Sequence, residues 1–89
     1  MKGFASKREA DRYGELELLQ RAGQIVNLRC QVAYPLDVGS IHICNYIADF
    51  IYQENGETVV EDAKGFHTPV FKLKQKLLKA IYGIEIRLT

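Results

Sequence analysis

Two aspartates and a lysine are the residues of this sequence whose types and spacing could do chemistry. Asn55-Gly56 is typical of a two-residue β-hairpin turn, and that turn would place Asp49 directly opposite Asp62. Like charges in such a pair have Cβ atoms only ~5 Å apart and destabilise the sheet. Because side chains alternate along a strand, Lys64 shares the face of Asp62. A divalent cation held by the two carboxylates would replace this repulsion with coordination, so the spacing predicts a metal site.

A solvated surface is the alternative interpretation of the same charges. Charged residues are common on the exposed face of a hairpin, and a one-residue bulge would change the register assumed above. The neighbouring residues Ile47, Ile51 and Val60 are apolar, however, and unpaired charge is costly in such a setting. Spacing alone leaves both interpretations open.

The length and composition of the chain predict one small domain, 1–89. Of its 89 residues, 47% are hydrophobic, which is typical of a globular protein. The net charge of +1 does not by itself indicate a nucleic-acid binder. No apolar run approaches the ~20 residues of a membrane span, and Met1–Arg8 lacks the apolar stretch of a signal peptide. We therefore expect a cytoplasmic protein without a membrane partner.

Periodicity and turn signals predict the element order α-β-β-β-α-β. The first helix spans Ser6–Ala22 and the second Val70–Tyr82. The first strand covers Leu28–Leu36. The second strand is entered at Ile41 and forms one side of the Asn55-Gly56 hairpin, the third strand forms the other side, and the last strand covers Ile84–Leu88. A strand-helix-strand succession at the end makes a right-handed crossover, so the last strand runs parallel to a neighbour. The expected fold class is α+β (α/β-like), a mixed sheet flanked by helices.

Glu9 has two candidate roles at the start of the first helix. It stands three residues after Ser6, as in a capping box, which is the role that spacing favours. It also lies one turn before Tyr13, at the edge of the predicted buried face, where it could serve as a metal ligand. The predicted buried faces consist of Ala10, Tyr13, Leu16, Leu19 and Ala22 in the first helix and Leu73, Leu77, Ala80 and Ile81 in the second.

The second helix carries a dense basic run. Four of the twelve basic residues of the chain stand within eight positions, with no acidic residue among them: Lys72, Lys74, Lys76 and Lys79. Spacings of four and three place Lys72, Lys76 and Lys79 on one face. An ordinary solvated face and a surface that contacts nucleic-acid phosphates are both compatible with this pattern.

Four segments in order resemble a known family. They are Ser6-Lys7-Arg8-Glu9, Tyr46-Ile47-Ala48-Asp49-Phe50, Val60-Glu61-Asp62-Ala63-Lys64-Gly65 and Leu73-Lys74-Gln75-Lys76-Leu77. Together they resemble a family of short phage and prophage proteins of the PD-(D/E)XK nuclease superfamily, over Ser6 to about Arg87. Ala48 stands where the signature has proline. The resemblance implies a restriction-endonuclease-like core.

The resemblance also implies a role for each site residue. Asp49 and Asp62 would hold Mg²⁺, for which Mn²⁺ is expected to substitute, and the backbone carbonyl of Ala63 would be a further ligand. Glu9 would complete or extend the metal site. Lys64 would orient or deprotonate the attacking water and offset charge on the scissile phosphate. Such an all-oxygen site with open water positions suits magnesium.

The function implied is a metal-dependent endonuclease that hydrolyses DNA phosphodiester bonds. So small a chain is expected to recognise DNA backbone or structure rather than base sequence. Related phage enzymes include Holliday-junction resolvases, so branched DNA is an expected substrate and a homodimer the expected assembly. A catalytically idle nuclease-fold protein that binds nucleic acid or a partner is the alternative, and a small structural protein with a charged hairpin is a third.

Overall fold

A computed structural model describes residue 4 and residues 6–63 and 67–89, and it contains two helices and four strands in that part of the chain. The helices are α1, Lys7–Arg21, and α2, Pro69–Tyr82. The strands are β1, Val26–Val38; β2, Ile41–Glu54; β3, Glu57–Asp62; and β4, Ile86–Leu88. The predicted order α-β-β-β-α-β is therefore confirmed, and the fold is α+β.

The four strands form one mixed sheet in the order β1-β2-β3-β4. β1, β2 and β3 are antiparallel neighbours, whereas β4 runs parallel to β3 after the α2 crossover. Asn55 and Gly56 form the β2–β3 turn with φ of 53° and 79°, the positive values that a tight hairpin turn requires. The predicted register is confirmed over the hairpin, with Ile51 opposite Val60.

Both helices begin at a side-chain cap. The hydroxyl oxygen of Ser6 accepts from the backbone N–H of Glu9 at 3.2 Å, and Thr68 accepts likewise from Phe71 at 3.0 Å. Gly83 follows the last residue of α2 and caps it, with a φ of 71° that suits glycine. In the described part of the chain, neither helix has the length and apolar character needed to cross a membrane.

The helices cover opposite faces of the sheet, each over its own apolar cluster. Phe50 packs in the cluster of α1, which includes Leu16, while the next residue, Ile51, packs in the cluster of α2, which includes Leu78. Consecutive strand residues point to opposite faces, so the sheet lies between the helices. Ala48 also belongs to the α2 cluster, although it is two residues from Phe50. The regular alternation of β2 side chains between the two faces of the sheet is therefore interrupted between Ala48 and Phe50.

The buried faces of the helices differ from the predicted ones. In α1, Leu16 is fully buried, but Ala10 and Ala22 are exposed, and Glu9 is only 4% exposed. In α2, the apolar residue Leu73 is 58% exposed. The buried residues of α2 are Phe71 and Leu78, with Leu77 half-buried. Each helix is thus rotated relative to the face that apolar spacing alone selected.

β1 is an outer strand of the sheet, and a proline lies within it. Pro35 has no backbone N–H to donate. Its carbonyl oxygen accepts a hydrogen bond from the hydroxyl of Tyr82, the last residue of α2, at 2.7 Å. Tyr82 also packs edge-on against Tyr34, with ring centroids 5.4 Å apart. The end of α2 is therefore fastened to the outer strand.

Candidate functional site

Asp49 and Asp62 lie where the β2–β3 hairpin stops pairing. The last ladder pair is Phe50 with Glu61, and the two aspartates would be the next pair. The predicted direct pairing of their backbones is not formed. Instead, the backbone N–H of Ala63 donates to Oδ2 of Asp49 at 2.9 Å. The two acids are 7% and 0% exposed, so the end of the ladder holds two buried carboxylates on adjacent strands.

Tyr46 contacts Asp62 and was not predicted as a site residue. It is 3% exposed, and its hydroxyl donates a short hydrogen bond to Oδ2 of Asp62. Burial, this hydrogen bond and the charges of Asp62 and Asp49 all raise the pKa of Tyr46 above its ordinary value of 10. The hydroxyl therefore stays protonated and orients Asp62. A tyrosine in a buried strand usually needs a partner for its hydroxyl, which was the signal available from sequence.

Glu9 faces the sheet from the first turn of α1. Its carboxylate oxygen Oε2 accepts a hydrogen bond from Nε2 of Gln31 at 2.9 Å. The capping interpretation is confirmed for the backbone of Glu9, whose N–H bonds to Ser6. The side chain, in contrast, contacts β1. The backbone of Glu9 therefore takes part in the helix cap, and its carboxylate is hydrogen-bonded to the sheet.

Gln31 was missed by sequence reasoning, although it lies beside the acids. Its neighbours Cys30 and Val32 pair regularly with β2, which places Gln31 opposite Asp49. Its φ is 55°, a left-handed value for a residue other than glycine. Cys30 packs in the α1 cluster and Val32 in the α2 cluster. The alternation of side chains between the two faces of the sheet is therefore interrupted in β1 at Gln31, opposite the interruption in β2. No sequence pattern marks this position in advance.

The donor set of the site consists of oxygens, the ligands that magnesium prefers. Among the described residues, no three His, Cys, Asp or Glu side chains form a group able to hold a metal ion. A site with Glu9 as a third direct ligand is thus not assembled. Asp49 with Asp62 still fits magnesium, which is commonly bound by one or two carboxylates and several waters. The predicted ligand role of the Ala63 carbonyl stays a prediction.

Lys64 lies outside the described residues, so its predicted role also stays a prediction. The neighbouring acid Glu61 is 0% exposed, but it belongs to another part of the fold. Its carboxylate accepts hydrogen bonds from Arg12 of α1, from Tyr52 at 2.5 Å and from Thr89 at 3.0 Å. This supports its exclusion from the predicted site.

The predicted nucleic-acid-binding lysines occupy the surface of α2. Lys72, Lys76 and Lys79 are exposed, and Lys74 is half-buried. Lys79 is engaged in an ion pair with Glu85. Lys72 and Lys76 therefore combine exposure with the shared face that spacing predicted, and they are the members of this run best placed to meet a phosphate backbone.

Comparison with known proteins identifies a family but no activity. A family model described as "Protein of unknown function (DUF1064)" matches residues 1–89. No match was found among curated proteins or among solved structures.

Proposed function

This chain belongs to the DUF1064 family of proteins of unknown function, and we propose that it is a metal-dependent nuclease acting on DNA phosphodiester bonds. The observation that carries the proposal is the placement of Asp49 and Asp62, both almost fully buried, where the β2–β3 ladder ends. Two adjacent buried carboxylates repel one another, and a divalent cation held by them would relieve that repulsion. The resemblance to PD-(D/E)XK nucleases points to the same two residues.

Each residue of the candidate site has a defined task in this proposal. Asp49 and Asp62 would hold the cation, and the N–H of Ala63 fixes the carboxylate of Asp49. The hydroxyl of Tyr46 fixes that of Asp62. When bound, magnesium would supply Lewis-acid chemistry for activating water and stabilising the leaving oxygen. Lys64 orients or deprotonates the attacking water in the same proposal, and Glu9 supports the ligand set from α1.

The proposed substrate is recognised through its backbone. Exposed Lys72 and Lys76 contact phosphates, which gives affinity without base specificity. Branched DNA is the proposed substrate class, and a two-fold homodimer is the proposed assembly because it presents two sites to two strands. A cytoplasmic location belongs to the same proposal. Light scattering at micromolar concentration tests the assembly, and a monomer both free and on junction DNA would overturn it.

Cleavage assays test the activity itself. Supercoiled, linear, single-stranded and four-way-junction DNA are incubated with and without Mg²⁺ or Mn²⁺. We expect metal-dependent cleavage by the wild type, none by Asp49→Asn or Asp62→Asn, and wild-type rates for Asp11→Asn. Asp11 is a suitable control because it is an exposed acid paired with Lys7 on α1. Wild-type rates in Asp62→Asn would overturn the site.

A catalytically idle binding protein is the second candidate. The observation that favours it is the lack, among the described residues, of a group of three acids around one point. The same assays separate the two candidates when DNA binding is measured alongside cleavage. DNA binding without cleavage of any substrate, in either metal, would select the idle protein.

A further inference from the structure

The backbone of Gln31 is strained at a point where the sheet does not require it. A φ of 55° lies in the left-handed region, which glutamine rarely adopts because its Cβ approaches the following carbonyl oxygen. The residue is not part of a turn, since Cys30 and Val32 on either side pair with β2 in unchanged register. Strained residues of this kind concentrate at functional sites. The positive φ of Gln31 is therefore consistent with a functional role at this position.

This backbone conformation changes the face of the sheet to which the β1 side chains point. Cys30 packs beneath α1 and Val32 beneath α2, although two residues along a regular strand share one face. Gln31 is the residue at which the change occurs, and its amide reaches Glu9 on α1 at 2.9 Å. Asp49 lies opposite Gln31 on β2, also at a change of phase. Gln31 thus lies opposite Asp49 on the sheet and is hydrogen-bonded to Glu9, the buried acid of α1.

We infer that Gln31 is a positioning residue for the candidate metal site, an inference that rests on the proposed function. Its amide holds the carboxylate of Glu9, which is 4% exposed, at the level of Asp49. From there the carboxylate of Glu9 contributes negative charge to the surroundings of a cation held by Asp49 and Asp62, without ligating it. Groups that surround a metal site without binding the ion change metal affinity by about 10- to 100-fold when they are removed.

The same strand provides a matched control. Asn27 also has a left-handed backbone, with φ of 57°, and its side-chain amide also donates to an oxygen, that of Gln53 at 3.1 Å. Asn27→Gly and Gln31→Gly each remove one amide, and each leaves a residue that tolerates positive φ. Both variants are therefore expected to fold. The decisive difference is that Gln31 donates to Glu9, whereas Asn27 donates to Gln53.

The test is the affinity of the full chain for Mn²⁺, measured by calorimetry without DNA. We expect Gln31→Gly to bind Mn²⁺ at least about tenfold more weakly than the wild type, and Asn27→Gly to bind within about twofold of it. A swapped variant, Glu9→Gln with Gln31→Glu, rebuilds the hydrogen bond but moves the carboxylate to β1. The swapped variant should have the thermal stability of the wild type but a lower Mn²⁺ affinity than the wild type.

Three results would contradict a positioning role of Gln31. Wild-type Mn²⁺ affinity in Gln31→Gly would overturn it while leaving the proposed function intact. Wild-type affinity in the swapped variant would also overturn it, because the hydrogen bond would then act only through the fold. A wild-type protein that binds no Mn²⁺ would overturn the proposed function and, with it, the role of Gln31.

Discussion

Arg12 of α1 and Glu61 of β3 form a bidentate ion pair, with Nε and Nη2 of the guanidinium 2.6 and 3.0 Å from the two carboxylate oxygens. The Glu61 side chain is 0% exposed and that of Arg12 is 22% exposed. Arg12 stands one helical turn after Glu9, so the pair fixes the part of α1 that presents Glu9 to β1. The orientation of the candidate site therefore depends on an ion pair outside it.

Removing Arg12 should destabilise the fold strongly. Arg12→Ala is expected to lower the free energy of unfolding by about 3 kcal/mol, because it leaves a buried carboxylate without its cation. Arg12→Lys should fall between wild type and Arg12→Ala, since lysine cannot reproduce the two-donor geometry. Urea unfolding followed by circular dichroism measures both. Lys7→Ala, which breaks an exposed pair with Asp11, is the control and should change little; an equal loss in the control would contradict this interpretation.

Acid should weaken the fold through Glu61. Burial by itself would raise the pKa of this carboxyl, but hydrogen bonds from Arg12 and Tyr52 outweigh burial and hold it below its ordinary value of 4.5. The folded chain then binds the proton less readily than the unfolded chain. Glu61 therefore stabilises the fold above pH 4.5, and this contribution is lost as the pH falls through the lower folded value.

Thermal unfolding from neutral pH to about pH 3 checks this expectation. Glu61→Gln should be less stable than the wild type at neutral pH, and the difference between the two should shrink as the pH falls below 4.5. A difference that stays constant over the whole range would show that the charge of Glu61 does not contribute.

Magnesium should stabilise the protein through Asp49 and Asp62. A ligand at about ten times its Kd adds about 1.4 kcal/mol to the free energy of unfolding. The wild type and Asp11→Asn should gain this, whereas Asp49→Asn and Asp62→Asn should not. Without metal, the two Asn variants should match or slightly exceed the wild type in stability, because asparagine keeps an acceptor oxygen and removes one of two like charges. Equal magnesium stabilisation of all four proteins would rule out the site.

The surface of α2 should determine the salt dependence of DNA binding. Lys72→Ala with Lys76→Ala is expected to weaken binding and to reduce the slope of log affinity against log salt by about 1.8, or about 0.9 for each lost phosphate contact. Lys79→Ala is the matched control, because Lys79 is already paired with Glu85. Fluorescence anisotropy over a salt series measures the slopes. Unchanged affinity and slope in the double variant would return α2 to an ordinary solvated surface.

Local signals predicted the order of elements and the hairpin register. Asn55-Gly56 determines the turn geometry by itself, and the register follows from the turn. The cap at Ser6 needs only a residue three positions away. Such features depend on neighbours in sequence, and they were predicted correctly for that reason.

The face that α1 presents to the sheet depends on partners far away in sequence. Glu9 and Arg12 point inward because Gln31 and Glu61 receive them, and those partners lie on strands 22 and 49 residues further along the chain. Apolar spacing assigned Ala10 to the buried face instead. The left-handed backbone of Gln31 and the end of the ladder before Asp49 are likewise results of tertiary structure, which no periodicity in the sequence encodes.

The bond from Tyr82 to Pro35 affects how copies of this protein behave when crowded. An exposed outer strand can act as a template on which strands of other molecules add, and such growth leads to fibrils. At Pro35 an incoming strand finds no N–H, and the carbonyl oxygen there is already bonded to Tyr82. Continuous addition along β1 is therefore interrupted in its second half. The variant Tyr82→Phe with Pro35→Val restores an N–H at position 35 and frees the carbonyl oxygen there. At high concentration it should therefore form thioflavin-positive aggregates faster than the wild type.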